Sequence, residues 1–302
     1  NPDTRLLTLT GPGGSGKTRL ALEAGERQVK RDRQALADGA PLAYPQGAIF
    51  VPLAAVNTVE DLIPALADAL HLRLEGGQKQ LIESLRRKQI LLILDNLEHL
   101  MAGIGLVTEI LRAAPGVQIL ATSRERLQLQ GENVLPIGGL TYPDHDLKPS
   151  SPEAAVLDAC VAAYPAFQLL VESARRVQPH FALAAEDLPR LLDICRQVDG
   201  LPLALELAAS WADVMSLSDI LAETRQSQDF LQAKWRDVPE RQRSIRAVFD
   251  TSWQRLNPAE QTVLTQLSVF RGGFTRESAK QVVNVAEPIM PLLATLVRKS
   301  FL

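Results

Sequence analysis

Up to about residue 140, short apolar runs of strand length alternate with longer stretches in which apolar residues recur every three or four positions. The runs fall at residues 6–9, 48–53, 89–95, 117–122 and 133–137, with helical periodicity between them, for example over 58–71 and 106–114. That alternation predicts an α/β unit built on a parallel five-stranded sheet. The third run, Ile90-Leu91-Leu92-Ile93-Leu94, is apolar throughout, the pattern of a strand covered on both faces.

Beyond residue 140 the pattern changes. Residues 141–152 are rich in Pro, Asp and Ser and read as a linker. From 153 to 237 the periodicity is helical only, with Phe167, Leu170, Val171 and Ala174 on one stripe and Leu188, Leu191, Leu192 and Cys195 on another. A further boundary is expected near Asp237-Val238-Pro239. Residues 238–302 then carry four short helical runs, at 245–256, 259–270, 275–283 and 289–299. Asn257-Pro258 suits the start of the second run, and Arg271-Gly272-Gly273-Phe274 makes the turn into the third. Such a cluster of short helices suggests a helix-turn-helix or winged-helix unit.

Composition narrows the classes. At 302 residues the chain can hold two or three domains. A formal net charge of −3 gives no global nucleic-acid footprint. Residues 238–302 have more Lys and Arg than Asp and Glu, yet the candidate recognition helix offers only Arg276 and Lys280 beside Glu277. Cys160 and Cys195 sit in apolar helical patterns, which suits buried thiols in a reducing cytosol. His71, His99, His145 and His180 show no metal-ligand spacing, and Trp211, Trp235 and Trp253 are scattered as core anchors would be. No stretch has the length of a membrane span, and a cytoplasmic location is expected. Neither end reads as a natural terminus, so the chain is expected to be a segment of a longer protein.

The chemistry begins at Gly11-Pro12-Gly13-Gly14-Ser15-Gly16-Lys17-Thr18, a complete G-x-x-x-x-G-K-[ST] pattern between a strand and a helix. Gly13, Gly14, Ser15, Gly16 and Arg19 would turn backbone N–H groups toward a polyphosphate at a helix N-terminus. Lys17 would reach the β- and γ-phosphates, and the Thr18 hydroxyl would ligate Mg²⁺. Asp95, at the C-terminal end of the third strand, is an acid directed at the same Mg²⁺. Asn96 cannot serve as a base. Glu98 either orients a water or pairs with Asp95 as an Asp-x-x-Glu cap of the next helix. Without a strong base, slow hydrolysis is expected. Arg124, ending the fourth strand, can discriminate ATP from ADP through a γ-phosphate, with Arg126 as its neighbour and competitor. In Gly200-Leu201-Pro202-Leu203, Gly200 ends one helix and Pro202 begins another.

Five blocks in this order, GPGGSGKTRLALE, LLILDNLEHL, ILATSRERL, CRQVDGLPLALELAA and LSVFRGGFTRESAKQVV through LVRKSFL, resemble the STAND class of P-loop ATPases in its NB-ARC-like branch. The texture is similar to the ATPase module of bacterial AfsR/SARP-type and large LuxR-type transcriptional regulators. The resemblance implies a sheet of order 5-1-4-3-2 over residues 1–140, a helical domain over 153–237 and a winged helix over 238–302, with ADP or ATP between them. It implies that Gly13 to Thr18 bind phosphates and Mg²⁺, that Asp95 is the Walker B acid and Arg124 the sensor, and that Pro202 packs near the adenine. Residues 3–6 would border the base. It further implies an ADP-held closed form that opens on exchange for ATP and self-associates, acting with sensor and effector domains outside this chain. The family's switch histidine would fall after Leu302. Two other readings stand beside this one, a DNA-binding winged-helix module and an AAA+-like motor.

Overall fold

The computed structural model describes residues 4–56, 58–145, 154–232, 243–270 and 273–302. Asp3, most of the expected linker at 146–152, Trp235, the boundary near 237–239 and the Arg271-Gly272 turn lie outside the described residues.

Each predicted strand is present: β1 (Leu6–Thr10), β2 (Ala48–Pro52), β3 (Ile90–Asp95), β4 (Val117–Ser123) and β5 (Glu132–Pro136). They form one wholly parallel sheet of order β2-β3-β4-β1-β5. The three interior strands are β3, β4 and β1, with β4 in the middle, and an interior strand covered on both faces can bury a continuous apolar run such as that of β3. Helix α1 (Lys17–Ala37) follows β1 directly. Helices α2 (Leu62–Ala69), α3 (Gly77–Leu85) and α4 (Ile104–Ala113) lie between the later strands. Leu62, Leu66, Leu81, Leu85 and Ile110 from these three pack with Leu6, Leu92, Leu94 and Ile119 in one large apolar cluster. A smaller cluster on the other sheet face joins Ala21 of α1 to Leu9, Ile93 and Leu120.

After β5 the named elements among the described residues are helical. These are α5 (Ala154–Ala163), α6 (Pro165–Val177), α7 (Leu188–Gln197), α8 (Pro202–Ala209) and α9 (Leu217–Gln226), followed by α10 (Ile245–Trp253), α11 (Pro258–Leu267), α12 (Arg276–Val282) and α13 (Ile289–Arg298). The stripes read from the sequence are the ones that are buried: Phe167, Leu170 and Val171 of α6 meet Leu191, Leu192 and Cys195 of α7. Burial pushes the Cys195 thiol up to about 12, so it stays protonated and acts as a small apolar group. Trp211 stacks on Phe230 and Trp253 on Phe249.

Four helix starts among the described residues carry side-chain caps. Ser216, Ser244, Asn257 and Thr275 each accept a hydrogen bond from the backbone N–H three residues on. Pro202 stands in the first turn of α8, as expected, and Gly200 takes a left-handed φ of 62° just before it.

The chain divides into two units. The first holds Asn1–Pro12, Lys17–Ile137 and Val297–Leu302; the second holds Gly13–Gly16 and Gly138–Leu296. Among the described residues no helix is long and apolar enough to cross a membrane.

Candidate functional site

Parallel strands deliver their C-terminal ends to one sheet edge, and loops after those ends are where ligands gather in such folds. Here β1 leads into the Gly11–Thr18 loop, β3 ends on Asp95, and β4 ends on Ser123 with Arg124 next. The register sets Leu94 opposite Ala121, and the following pair, Asp95 and Thr122, meets through side chains.

Asp95 is buried and its Oδ1 accepts two hydroxyl hydrogen bonds, from Thr18 at 2.7 Å and from Thr122 at 2.6 Å. Thr122 Oγ1 in turn accepts the Asn96 backbone N–H at 2.8 Å. The carboxylate is thereby held by β4 and aimed at the first turn of α1. Two oxygen donors, Thr18 Oγ1 and Asp95 Oδ1, share one small volume, which suits a hard divalent cation such as Mg²⁺.

Lys17 Nζ donates to the carbonyls of Gly11 and Pro12, each at 2.8 Å. Its ammonium is pulled down to about 8, by burial above all; Glu98 opposes that shift, Arg124 adds to it, and Asp95 opposes it. A half-buried cation whose hydrogen bonds go to backbone carbonyls can take a stronger anionic partner. Gly14 and Gly16 both adopt left-handed φ, 82° and 88°. Ser15 Oγ, in the same loop, is buried with no hydrogen-bond partner. An unsatisfied buried hydroxyl among glycines at a helix N-terminus fits a phosphate-bearing ligand. Arg19 is exposed in the first turn of α1.

Glu98 does not cap a helix with Asp95, as one reading of the sequence had it. The residue preceding the short 3-10 turn Leu97–His99 is Asn96, in left-handed conformation with φ 69°, and it makes no side-chain cap. Glu98 is instead buried, with Oε1 3.2 Å from Arg124 Nε. Arg126 is exposed. The structure thus brings Lys17, Thr18, Asp95, Glu98 and Arg124 to one edge of the first unit.

Three participants were not singled out by sequence reasoning. Thr122 was visible only as part of Thr122-Ser123-Arg124; its signal is a hydroxyl residue at the end of an otherwise apolar strand. His99 Nε2 lies 2.7 Å from the Val56 carbonyl, and its Nδ1 lies 3.1 Å from Asn96 Nδ2. With the proton on Nε2, His99 donates to Val56 and accepts from Asn96, fixing the amide next to Asp95. The third is Ser300, whose Oγ donates to the Arg124 backbone carbonyl at 2.7 Å.

Pro202 belongs to the second unit, as does the loop segment Gly13–Gly16. Within that unit the Leu203 N–H donates to the Gly14 carbonyl at 3.2 Å. A Cβ at Gly14 would stand 3.0 Å from Leu203 Cβ, and one at Gly16 3.8 Å from Pro202 Cγ. Glycine at 14 is therefore required twice, by φ and by space.

The parallel sheet with its helices has a P-loop NTPase-like fold, and residues 2–129 match the model of the AAA domain family. Among known proteins the chain is similar to "Putative HTH-type transcriptional regulator Rv0890c" of Mycobacterium tuberculosis, 32% identical over 305 residues. That alignment takes in 98% of this chain and 31% of the relative. "Uncharacterized protein Rv0894" of the same organism is 30% identical, over 93% of this chain and 64% of its own length. The chain thus spans about a third of the first relative. Among solved structures, the Walker-type ATPase PABY2304 of Pyrococcus abyssi shares the fold with a TM-score of 0.52. Its identity is 14%, over 97% of this chain and 84% of that one.

Proposed function

We propose that this chain is the nucleotide-operated switch of a STAND-type, NB-ARC-like signalling or transcription-regulatory protein. The observation that carries the reading is the Arg124–Glu98 pair beside Lys17 and Asp95. Arg124 is held by a carboxylate when no γ-phosphate is near; ATP offers it a competing phosphoryl oxygen and ADP does not. A ligand shifts an equilibrium only through unequal affinity for its two states, and this exchange of partners supplies the inequality. Lys17 and the Gly13–Gly16 backbone hold the phosphates, while Thr18 and Asp95 hold Mg²⁺. Within the second unit the Leu203 N–H holds the Gly14 carbonyl, and Pro202, which starts the same helix, is read as packing near the adenine. The arrangement of residues 153–237 as a helical domain and 238–302 as a winged helix belongs to the same reading.

Hydrolysis is slow in this account. Asn96 is no base, and the pairing of Glu98 with Arg124 weakens it as a base for an attacking water. ADP then marks the resting, closed form, and exchange for ATP permits self-association and output through regions outside this chain. The test is mass in solution together with turnover. The chain should be monomeric with ADP, form larger assemblies with a non-hydrolysable ATP analogue and Mg²⁺, and turn over well below about 1 s⁻¹. One mass in both nucleotides, or motor-like turnover, would overturn the reading.

A second reading is favoured by the relative's name and by the basic balance of residues 238–302: direct DNA binding through α12. Its Arg276 and Lys280 share a short helix with Glu277, which is thin for phosphate contact. Strong, salt-dependent binding of a short duplex would put this reading first.

A further inference from the structure

The block Leu296-Val297-Arg298-Lys299-Ser300-Phe301-Leu302 carries no chemistry in the account so far. Residues Val297–Leu302 nevertheless belong to the first unit, with the sheet and Arg124. Ser300 lies two residues beyond the end of α13, partly buried, at a left-handed φ of 60°. Its N–H donates to the Val297 carbonyl at 3.1 Å, closing the turn that leaves the helix. Its Oγ donates to the backbone carbonyl of Arg124 at 2.7 Å, across 176 positions of sequence.

That carbonyl is a sensitive place. Arg124 is the first residue past the end of β4, so the strand ladder, which pairs β4 with β1 as far as Ser123, does not fix its backbone. The next residue is in a local turn, where the Glu125 N–H donates to Ser123 Oγ at 3.2 Å. The guanidinium of the same residue reaches Glu98 at 3.2 Å. A long side chain magnifies small rotations of its own backbone at its tip, and planar bidentate recognition tolerates little misplacement. A serine with positive φ is also an uncommon choice, one that the surrounding structure must hold in place.

We infer that Ser300 is a positioning residue for Arg124: its hydroxyl fixes the Arg124 carbonyl and so sets the guanidinium's discrimination between nucleoside triphosphate and diphosphate. The inference rests on the sensor reading of Arg124 given above. Ser300 touches no nucleotide in this account and acts only through the arginine.

The experiment measures affinities for ADP and for ATPγS, with Mg²⁺, in the wild-type chain and in Ser300→Ala, Ser300→Gly and Arg124→Ala. Glycine accepts the positive φ without a side chain, so the two serine variants separate the hydroxyl from the backbone conformation. Both should weaken ATPγS by about five-fold, the scale of one net hydrogen bond, and leave ADP within two-fold. Arg124→Ala should weaken ATPγS more, again sparing ADP. If Arg124→Ala changes the preference and neither serine variant does, the positioning role is overturned while the sensor reading stands. Ser300→Ala shifting the preference with Ser300→Gly unchanged would also overturn it, because strain rather than the hydroxyl would be responsible. If Arg124→Ala leaves the preference unchanged, the sensor reading and this inference fall together. Equal losses for both nucleotides in the serine variants would mark a general structural defect and likewise refute the inference.

Discussion

The depressed Lys17 ammonium gives a quantitative expectation for nucleotide binding as a function of pH. Without nucleotide the group titrates at about 8, because burial, with Arg124 adding to it, outweighs the Glu98 and Asp95 carboxylates. A bound polyphosphate stabilises the charged form and raises that value. The sign follows by linkage. Below about 7 the amine is already charged and binding takes up almost no proton; above 8 a proton must be taken up with the ligand, and affinity falls. A group titrating at about 8 is roughly 9% neutral at pH 7 and roughly 91% neutral at pH 9. The dissociation constant for ADP should therefore rise about ten-fold between those values, about 1.4 kcal/mol. The nucleotide's own phosphates are almost fully ionised over most of this range and contribute little. Isothermal titration calorimetry in buffers of different ionisation enthalpy reads the effect directly, with about half a proton taken up per ADP at pH 8. Lys17→Arg, whose cation does not titrate there, should abolish both the slope and the uptake. A flat affinity from pH 7 to 9 with no proton uptake would refute the argument that Lys17 is the half-buried phosphate ligand.

Other perturbations test other joints. Thr122→Val removes one donor to Asp95 and strands the Asn96 N–H, so it should cost about 1–3 kcal/mol in chemical denaturation and weaken the Mg²⁺ dependence of nucleotide binding. Gly14→Ala meets both a left-handed φ and a Leu203 Cβ 3.0 Å away; nucleotide affinity should drop at least ten-fold in the same calorimetric assay. Phe167→Ala empties the centre of the helical core, where the ring is fully buried, and should lower stability by about 3–5 kcal/mol in urea unfolding. Asn257→Ala removes the capping box of α11 and should cost about 0.5–2 kcal/mol by the same measurement.

Much of the first unit was legible in the sequence for simple physical reasons. A strand covered on both faces can be apolar along nearly its whole length, so β3 could be read directly. The Gly11–Thr18 loop is legible because glycines, lysine and threonine at that spacing serve one purpose. The helical stripes through Phe167 and Leu191 were legible because burial imposes a period near 3.6. Helix α3 was not singled out, and the ends of most elements shifted by one to four residues, since caps rather than periodicity decide them.

What escaped was set by contacts between distant positions. Thr122 matters because register carries it to the side of Asp95, and no local pattern reveals register. Spacing alone left Glu98 either a water-orienting acid or a cap with Asp95; Asn96 turns left-handed, and Glu98 meets Arg124 instead of capping. His99 lacks any metal spacing and earns its place only through Asn96 and Val56. Ser300 reaches Arg124 across more than half the chain. Each of these is a tertiary hydrogen bond or ion pair, the level at which a single sequence is least informative.

The central claim is that the chain rests with ADP held by the Gly13–Thr18 loop. The most direct measurement is the nucleotide carried by freshly purified protein, released by denaturation, separated by ion exchange and compared with protein concentration. The account predicts close to one ADP per chain in the wild type and none in Lys17→Ala. Wild-type protein that is empty and binds neither ADP nor ATP on addition, or a Lys17→Ala variant that retains its nucleotide, would contradict it.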